Sequence, residues 1–222
     1  EGTLVNKRKI RGNAGESVCH PLWSPDGILH FISDSNGWWN IYRIEEEHTI
    51  NVTPVEAEFT QAQWGLGSLC YGFTDKHTIA GAMNKQGLWE LLKIDIASKK
   101  FKKISPEISD IGRSGIKVGN NTIVFEGARA SESFSVFVHK AQEGIIKLTH
   151  DDINKIPRHY YSIPEPIKYE TGENQIAHAF YYPPNNPRYE GPECGLPPLL
   201  VMSHGGPTGA TQTGTCAGKG KT

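Results

Sequence analysis

Apolar residues in the first two-thirds of the chain gather in short runs of about five to seven, divided by polar turns, and do not recur at helical spacing. Three segments share one shape. In the first, Trp23 and the turn Ser24-Pro25-Asp26-Gly27 lead into an apolar run at 28–33. A polar break at 34–37 follows, then Trp38 and Trp39 open a run to Ile44, and Asn51-Val52-Thr53-Pro54 closes the unit. The second runs from Trp64 through apolar stretches at 68–73, 77–82 and 88–94 to Lys103-Ile104-Ser105-Pro106. The third has stretches at 121–126 and 134–139 and closes at Ile146-Lys147-Leu148-Thr149. The joining turns have a mechanism: Pro25 presets φ, Asp26 bonds its own backbone, and Gly27 takes the position other residues avoid.

The matching strands begin at Trp39, Trp89 and Phe134, a period of about 45–50 residues that suits a four-stranded blade. One blade cannot bury both its faces, so blades stack about an axis. The spacing contrasts with the turn rhythm of about 8–12 residues in a β-sandwich, the competing architecture. The fold expected is mainly β: a partial β-propeller of about three blades over residues 1–157, its C-terminal part, with further blades before Glu1. The five tryptophans are expected to pack between blades, with a ligand-stacking surface as the alternative.

The rhythm breaks after Pro157. Pro164 and Pro166 make 162–171 an extended connector and not a helix. The turn Thr171-Gly172-Glu173-Asn174 leads into a strand over 175–182, and a proline-rich loop carries the chain to 198. Residues 199–203, Leu-Leu-Val-Met-Ser, read as a strand covered on both faces, as in an α/β sheet. Residues 158–222 are therefore expected to be a linker and the start of a second domain. The strand runs into His204-Gly205-Gly206-Pro207. Two consecutive glycines let the backbone pass closely and can expose N–H groups towards a reacting oxygen, so Gly206 and Gly205 are the oxyanion-hole candidates, with an ordinary Gly-Gly-Pro turn as the alternative.

Charge narrows the partners. Lys plus Arg number 23 against 24 Asp plus Glu, without the basic excess that nucleic acid demands. Glu45-Glu46-Glu47 reads as a solvated loop. No apolar stretch is long enough to span a membrane, and none is expected to be a partner. Cys19, Cys70, Cys194 and Cys216 form no C-x-x-C pair, and the nine histidines are dispersed. Free thiols in the cytoplasm, no cofactor and no metal are therefore expected.

Ser162-Ile163-Pro164-Glu165-Pro166-Ile167, Phe180-Tyr181-Tyr182-Pro183-Pro184 and residues 196–208 together resemble the prolyl oligopeptidase family of serine peptidases. The branch most alike is its acylaminoacyl-peptidase and dipeptidyl-aminopeptidase-like members. The resemblance covers about residues 20 to 210. It implies a propeller joined to a C-terminal α/β-hydrolase domain, and cleavage of short oligopeptides through an acyl-enzyme. It implies that Gly206 donates to the oxyanion while Gly205 shapes the turn, and that His204 is structural. Homo-oligomerisation stays open.

The departures are as informative. No G-x-S-x-G nucleophile elbow occurs. Ser17, Ser35, Ser114 and Ser203 each lack one of the flanking glycines. The triad cannot be completed after Pro207, so the chain is expected to be a fragment, inactive alone. The alternatives are a non-catalytic binding module and a pseudo-peptidase. Residues after Thr208 are small and polar and cannot build a core. Gly218-Lys219-Gly220-Lys221-Thr222 looks like a phosphate-binding loop, but Thr215 stands where that pattern needs glycine.

Overall fold

The computed structural model describes residues 3, 5–105, 107–130, 132–149, 156–206 and 208–214. The three repeats are three four-stranded antiparallel sheets, each in sequential order. The first holds β1 (Val18–Trp23), β2 (Leu29–Ser33), β3 (Asn40–Glu45) and β4 (His48–Asn51). The second holds β5 (Tyr71–Asp75), β6 (Thr78–Lys85), β7 (Leu88–Asp95) and β8 (Phe101–Ser105). The third holds β9 (Ile108–Gly119), β10 (Thr122–Arg129), β11 (Ser135–Lys140) and β12 (Gly144–Lys147). The strands expected from Trp39, Trp89 and Phe134 are β3, β7 and β11, the third strand of each sheet. The architecture is that of a partial propeller.

The middle sheet explains why its strands read as apolar on both faces. Side chains alternate along a strand. Ile79 and Met83 of β6, with Leu92 and Ile94 of β7, join Ile32, Ile41 and Phe59 in a core shared with the first sheet. Ala80 and Ala82, with Trp89 and Leu91, join Ile111, Ile123, Phe125 and Phe137 in a core shared with the third. A sheet packed on both sides has no solvent face to mark with polar residues.

The innermost strand of the third blade, β9, escapes the sequence pattern. Gly112, Arg113, Ser114 and Gly115 interrupt its alternation. The strand persists because Leu69 pairs with Gly115 in a parallel bridge, and the Ile116 N–H donates to Leu69 O at 2.6 Å.

Beyond the blades, β13 (Glu165–Glu170) and β14 (Ile176–Tyr181) form an antiparallel hairpin. The connector expected at 162–171 is thus extended, and most of it is a paired strand. Glu173 and Asn174 turn the chain with positive φ. Ser162 Oγ donates to Pro183 O at 2.6 Å, and Asn185 Nδ2 donates to Tyr161 O at 2.7 Å, tying the two ends together. Phe180 packs on the β6–β7 turn so closely that a Cβ at Gly87 would stand 2.9 Å from Phe180 Cζ.

The strand expected at 199–203 is absent. These residues form no ladder, and Leu200 and Val201 are 82% and 80% exposed. A strand persists where its N–H and C=O groups meet a neighbour, and none pairs with this segment among the described residues. No α-helix occurs among the described residues, and no helix is long and apolar enough to cross a membrane.

Candidate functional site

Gly205 and Gly206 lie on an exposed turn. Gly206 has φ +74°, the left-handed region that favours glycine. Among the described residues no group accepts from the N–H of Gly205 or Gly206, so both are free for a ligand oxygen. Gly209 closes beneath them, where an added Cβ would meet Gly205 O and His204 Nδ1. His204 Nδ1 stands 3.3 Å from Gly205 O, a contact within the turn. Pro207 lies outside the described residues, as do Cys216 and the glycine-lysine run at 218–222.

The turn rests against the loop joining the first two blades. A Cβ added at Gly206 would lie 4.0 Å from Trp64 Cη2. Trp64 is 58% exposed, and the Arg113 guanidinium stands over its ring, 5.5 Å from the centroid. The loop is fixed at several points. Gln61 Nε2 donates to Gly112 O at 3.0 Å, and Lys117 Nζ donates to Gly67 O at 2.8 Å.

Behind the loop lies a buried polar cluster. His20 sits at φ +52° beside a bulge in β1. Its Nε2 lies 2.9 Å from Gln63 Nε2 and 2.8 Å from Thr60 Oγ1. Burial, then the nearby Lys117 charge, hold its pKa below the usual histidine value. Tyr71 donates its hydroxyl to His20 O at 2.7 Å. Burial raises the thiol of Cys19 to about 11 and that of Cys70 to about 12, so neither is a thiolate nucleophile near neutrality.

The third blade carries a second polar centre that the sequence pattern did not single out. Asp110 is fully buried and accepts from Thr213 N at 3.0 Å and Gly214 N at 2.7 Å. The Thr213 hydroxyl also bonds Asp110 Oδ2, and it meets Ser109 Oγ at 2.9 Å. Burial raises the Asp110 pKa against these bonds. The only sequence signal was an aspartate inside the apolar run Ile108-Ser109-Asp110-Ile111.

The tryptophans divide. Trp89 packs in a core and Trp39 packs partly buried, as expected. Trp23 and Trp64, at 69% and 58% exposure, do not, because they sit at a strand end and in a loop. Ser114 donates to Glu126 at 3.0 Å. Among the described residues no group of three His, Cys, Asp or Glu side chains gathers as a metal site.

No protein-family model matches the sequence, and a search of curated proteins finds no match either. Solved structures do match. A puromycin-hydrolyzing peptidase of Mycobacterium tuberculosis is 28% identical, with a TM-score of 0.87 over 95% of this chain and 33% of its own. A puromycin hydrolase is 24% identical, with a TM-score of 0.85 over 96% of this chain and 32% of its own. Prolyl oligopeptidase B from Galerina marginata shares 10% identity and a TM-score of 0.61 over 78% of this chain and 24% of its own. The chain spans about a third of the length of the puromycin-hydrolysing proteins. On the ground of these matches the chain resembles the prolyl oligopeptidase family of serine peptidases in structure as well as in sequence.

Proposed function

We propose that the chain works in a serine-type peptidase that hydrolyses short peptides through an acyl-enzyme. The observation that carries this is the likeness to a puromycin-hydrolyzing peptidase over 95% of the chain. In this reading the free N–H of Gly206 donates to the carbonyl oxygen as it becomes an oxyanion, and Gly205 lets the turn approach. One such donor is worth on the order of 10²–10³ in rate. Residues 158–222 are the linker and the start of an α/β-hydrolase domain, with 199–203 as an early strand awaiting sheet neighbours. The 222 residues contain no nucleophile elbow, so the acylating serine and its partners come from outside them. The chain alone then binds peptide without cleaving it. The unpaired Cys19, Cys70 and Cys194 suit a reducing cytoplasm.

The test treats the purified chain with a fluorophosphonate probe and an aminoacyl chromogenic substrate, and measures oligopeptide binding by calorimetry. The expected result is peptide binding with neither labelling nor turnover. A labelled serine would overturn the assignment of the nucleophile elsewhere. Failure to bind any oligopeptide would overturn the peptidase reading.

A further inference from the structure

Two cations of β9 stand against the loop at 61–69 with no ion pair among the described residues. Arg113 and Lys117 are both exposed and project from the same innermost strand, β9. Arg113 lies over Trp64, and Lys117 spends one donor on Gly67 O. Among the described residues neither forms an ion pair. The carboxylate on the adjoining strand, Glu126, accepts from Ser114 instead. Lys117 also lines a cleft of about 350 Å³ with Trp23, Leu69 and Tyr71. A guanidinium over an indole keeps its in-plane N–H fork available, the geometry that grips a carboxylate in two places.

The same ring touches the glycine turn. Gly206 and the Arg113 guanidinium approach one indole, a reach that two or three extended residues of about 3.3–3.6 Å each would cover. We propose that Arg113 and Lys117, with Trp64 as platform, form a carboxylate-binding subsite for a short peptide whose scissile carbonyl sits at the Gly205–Gly206 turn. The subsite rests on the peptide-handling reading above and adds to it a preference for a negative charge two or three residues from the cleaved bond. That charge comes from the free C-terminus of a short peptide or from an acidic side chain.

Calorimetry on the 222-residue chain tests this with three probes: tetraalanine as the free acid, tetraalanine amide, and Ala-Ala-Glu-amide. The acid should bind at least about tenfold more tightly than the amide. Arg113→Gln should bring the acid down to the affinity of the amide, and Arg113→Lys should restore part of the difference. Lys117→Gln should cut acid binding severalfold, and salt should weaken the acid alone. If Ala-Ala-Glu-amide matches the acid, the charge is a side chain's; if it matches the amide, the charge is a C-terminus. Either outcome supports the subsite. Arg113 is exposed, and circular dichroism of its variants guards against a folding artefact. Equal binding of acid and amide would overturn the subsite and leave the peptide reading standing. Binding of none of the three would overturn both.

Discussion

Gly115 is the residue on which the junction of the second and third blades turns. Its φ is +65°, which costs a residue with a side chain about 1–2 kcal/mol. A Cβ there would lie within van der Waals overlap of Leu69 O, a backbone atom that cannot rotate away. Gly115→Ala therefore forces β9 from the loop and breaks the Ile116 N–H to Leu69 O bond. Leaving that buried donor unpaired adds about 1–3 kcal/mol. The sum is about 2–5 kcal/mol, lessened by about 0.4–1 kcal/mol because alanine also restricts the unfolded chain. Urea unfolding followed by tryptophan fluorescence measures it. Gly119→Ala is the control on the same strand: an added Cβ there meets nothing, and its φ is not positive. It should stay within about 0.5 kcal/mol of the parent. If Gly115→Ala loses less than about 1 kcal/mol, the close approach of the two blades is not as described.

Leu91 is fully buried between the second and third sheets, and Leu91→Ala should cost about 2–5 kcal/mol in the same unfolding assay. Thr213→Val keeps the shape but deletes the hydroxyl bonded to Asp110 and Ser109. That loss of about 1.5–3 kcal/mol should speed amide exchange at Thr213 and Gly214 about ten- to a hundredfold and leave the global midpoint nearly unmoved; unchanged exchange would show the segment undocked. His20 has a pKa depressed below the ordinary 6.5, so the unfolded state takes up more protons and stability falls as pH drops below about 6.5. His30 and His139 are depressed in the same direction by burial. Urea midpoints at pH 7.5 and 5.5 should therefore differ less for His20→Gln than for the parent, and an equal difference would remove His20 from the account.

Local signals revealed what depends on local chemistry. Turn residues and short apolar runs announced β2, β3, β6, β7, β10 and β11, because each of those strands packs by its own side chains. β9 was hidden, since Leu69 of the neighbouring blade sustains it through a break of glycine and polar residues. The run at 199–203 misled in the opposite way. Its apolar character describes a strand between two layers, but composition does not supply the neighbours that a ladder needs. Gly205 and Gly206 stood out as a turn, while nothing near them in sequence pointed to Trp64 or Arg113.

Yet the pairing that makes the site follows a rule. Tyr71 reaches back to His20, 51 residues away, Gln61 reaches forward to Gly112, 51 away, and Lys117 reaches Gly67, 50 away. Each contact is offset by about one blade period. Stacked blades place equivalent positions of their inner strands side by side, so a residue's neighbour across the junction lies one repeat along the chain. Trp64 and Arg113 obey the same offset. The repeat that identifies the fold thus also predicts which distant side chains meet. A one-residue insertion beside Gly67, in the loop that carries Trp64, would leave each blade's own ladders intact and dismantle the Trp64–Arg113 platform. Such an insertion at Lys99 and Lys100, in the exposed β7–β8 turn, should not do so, because that turn absorbs length without shifting either inner strand. Acid-over-amide discrimination should survive insertion in the β7–β8 turn and vanish on insertion beside Gly67, and the reverse pattern would break the link between repeat period and site.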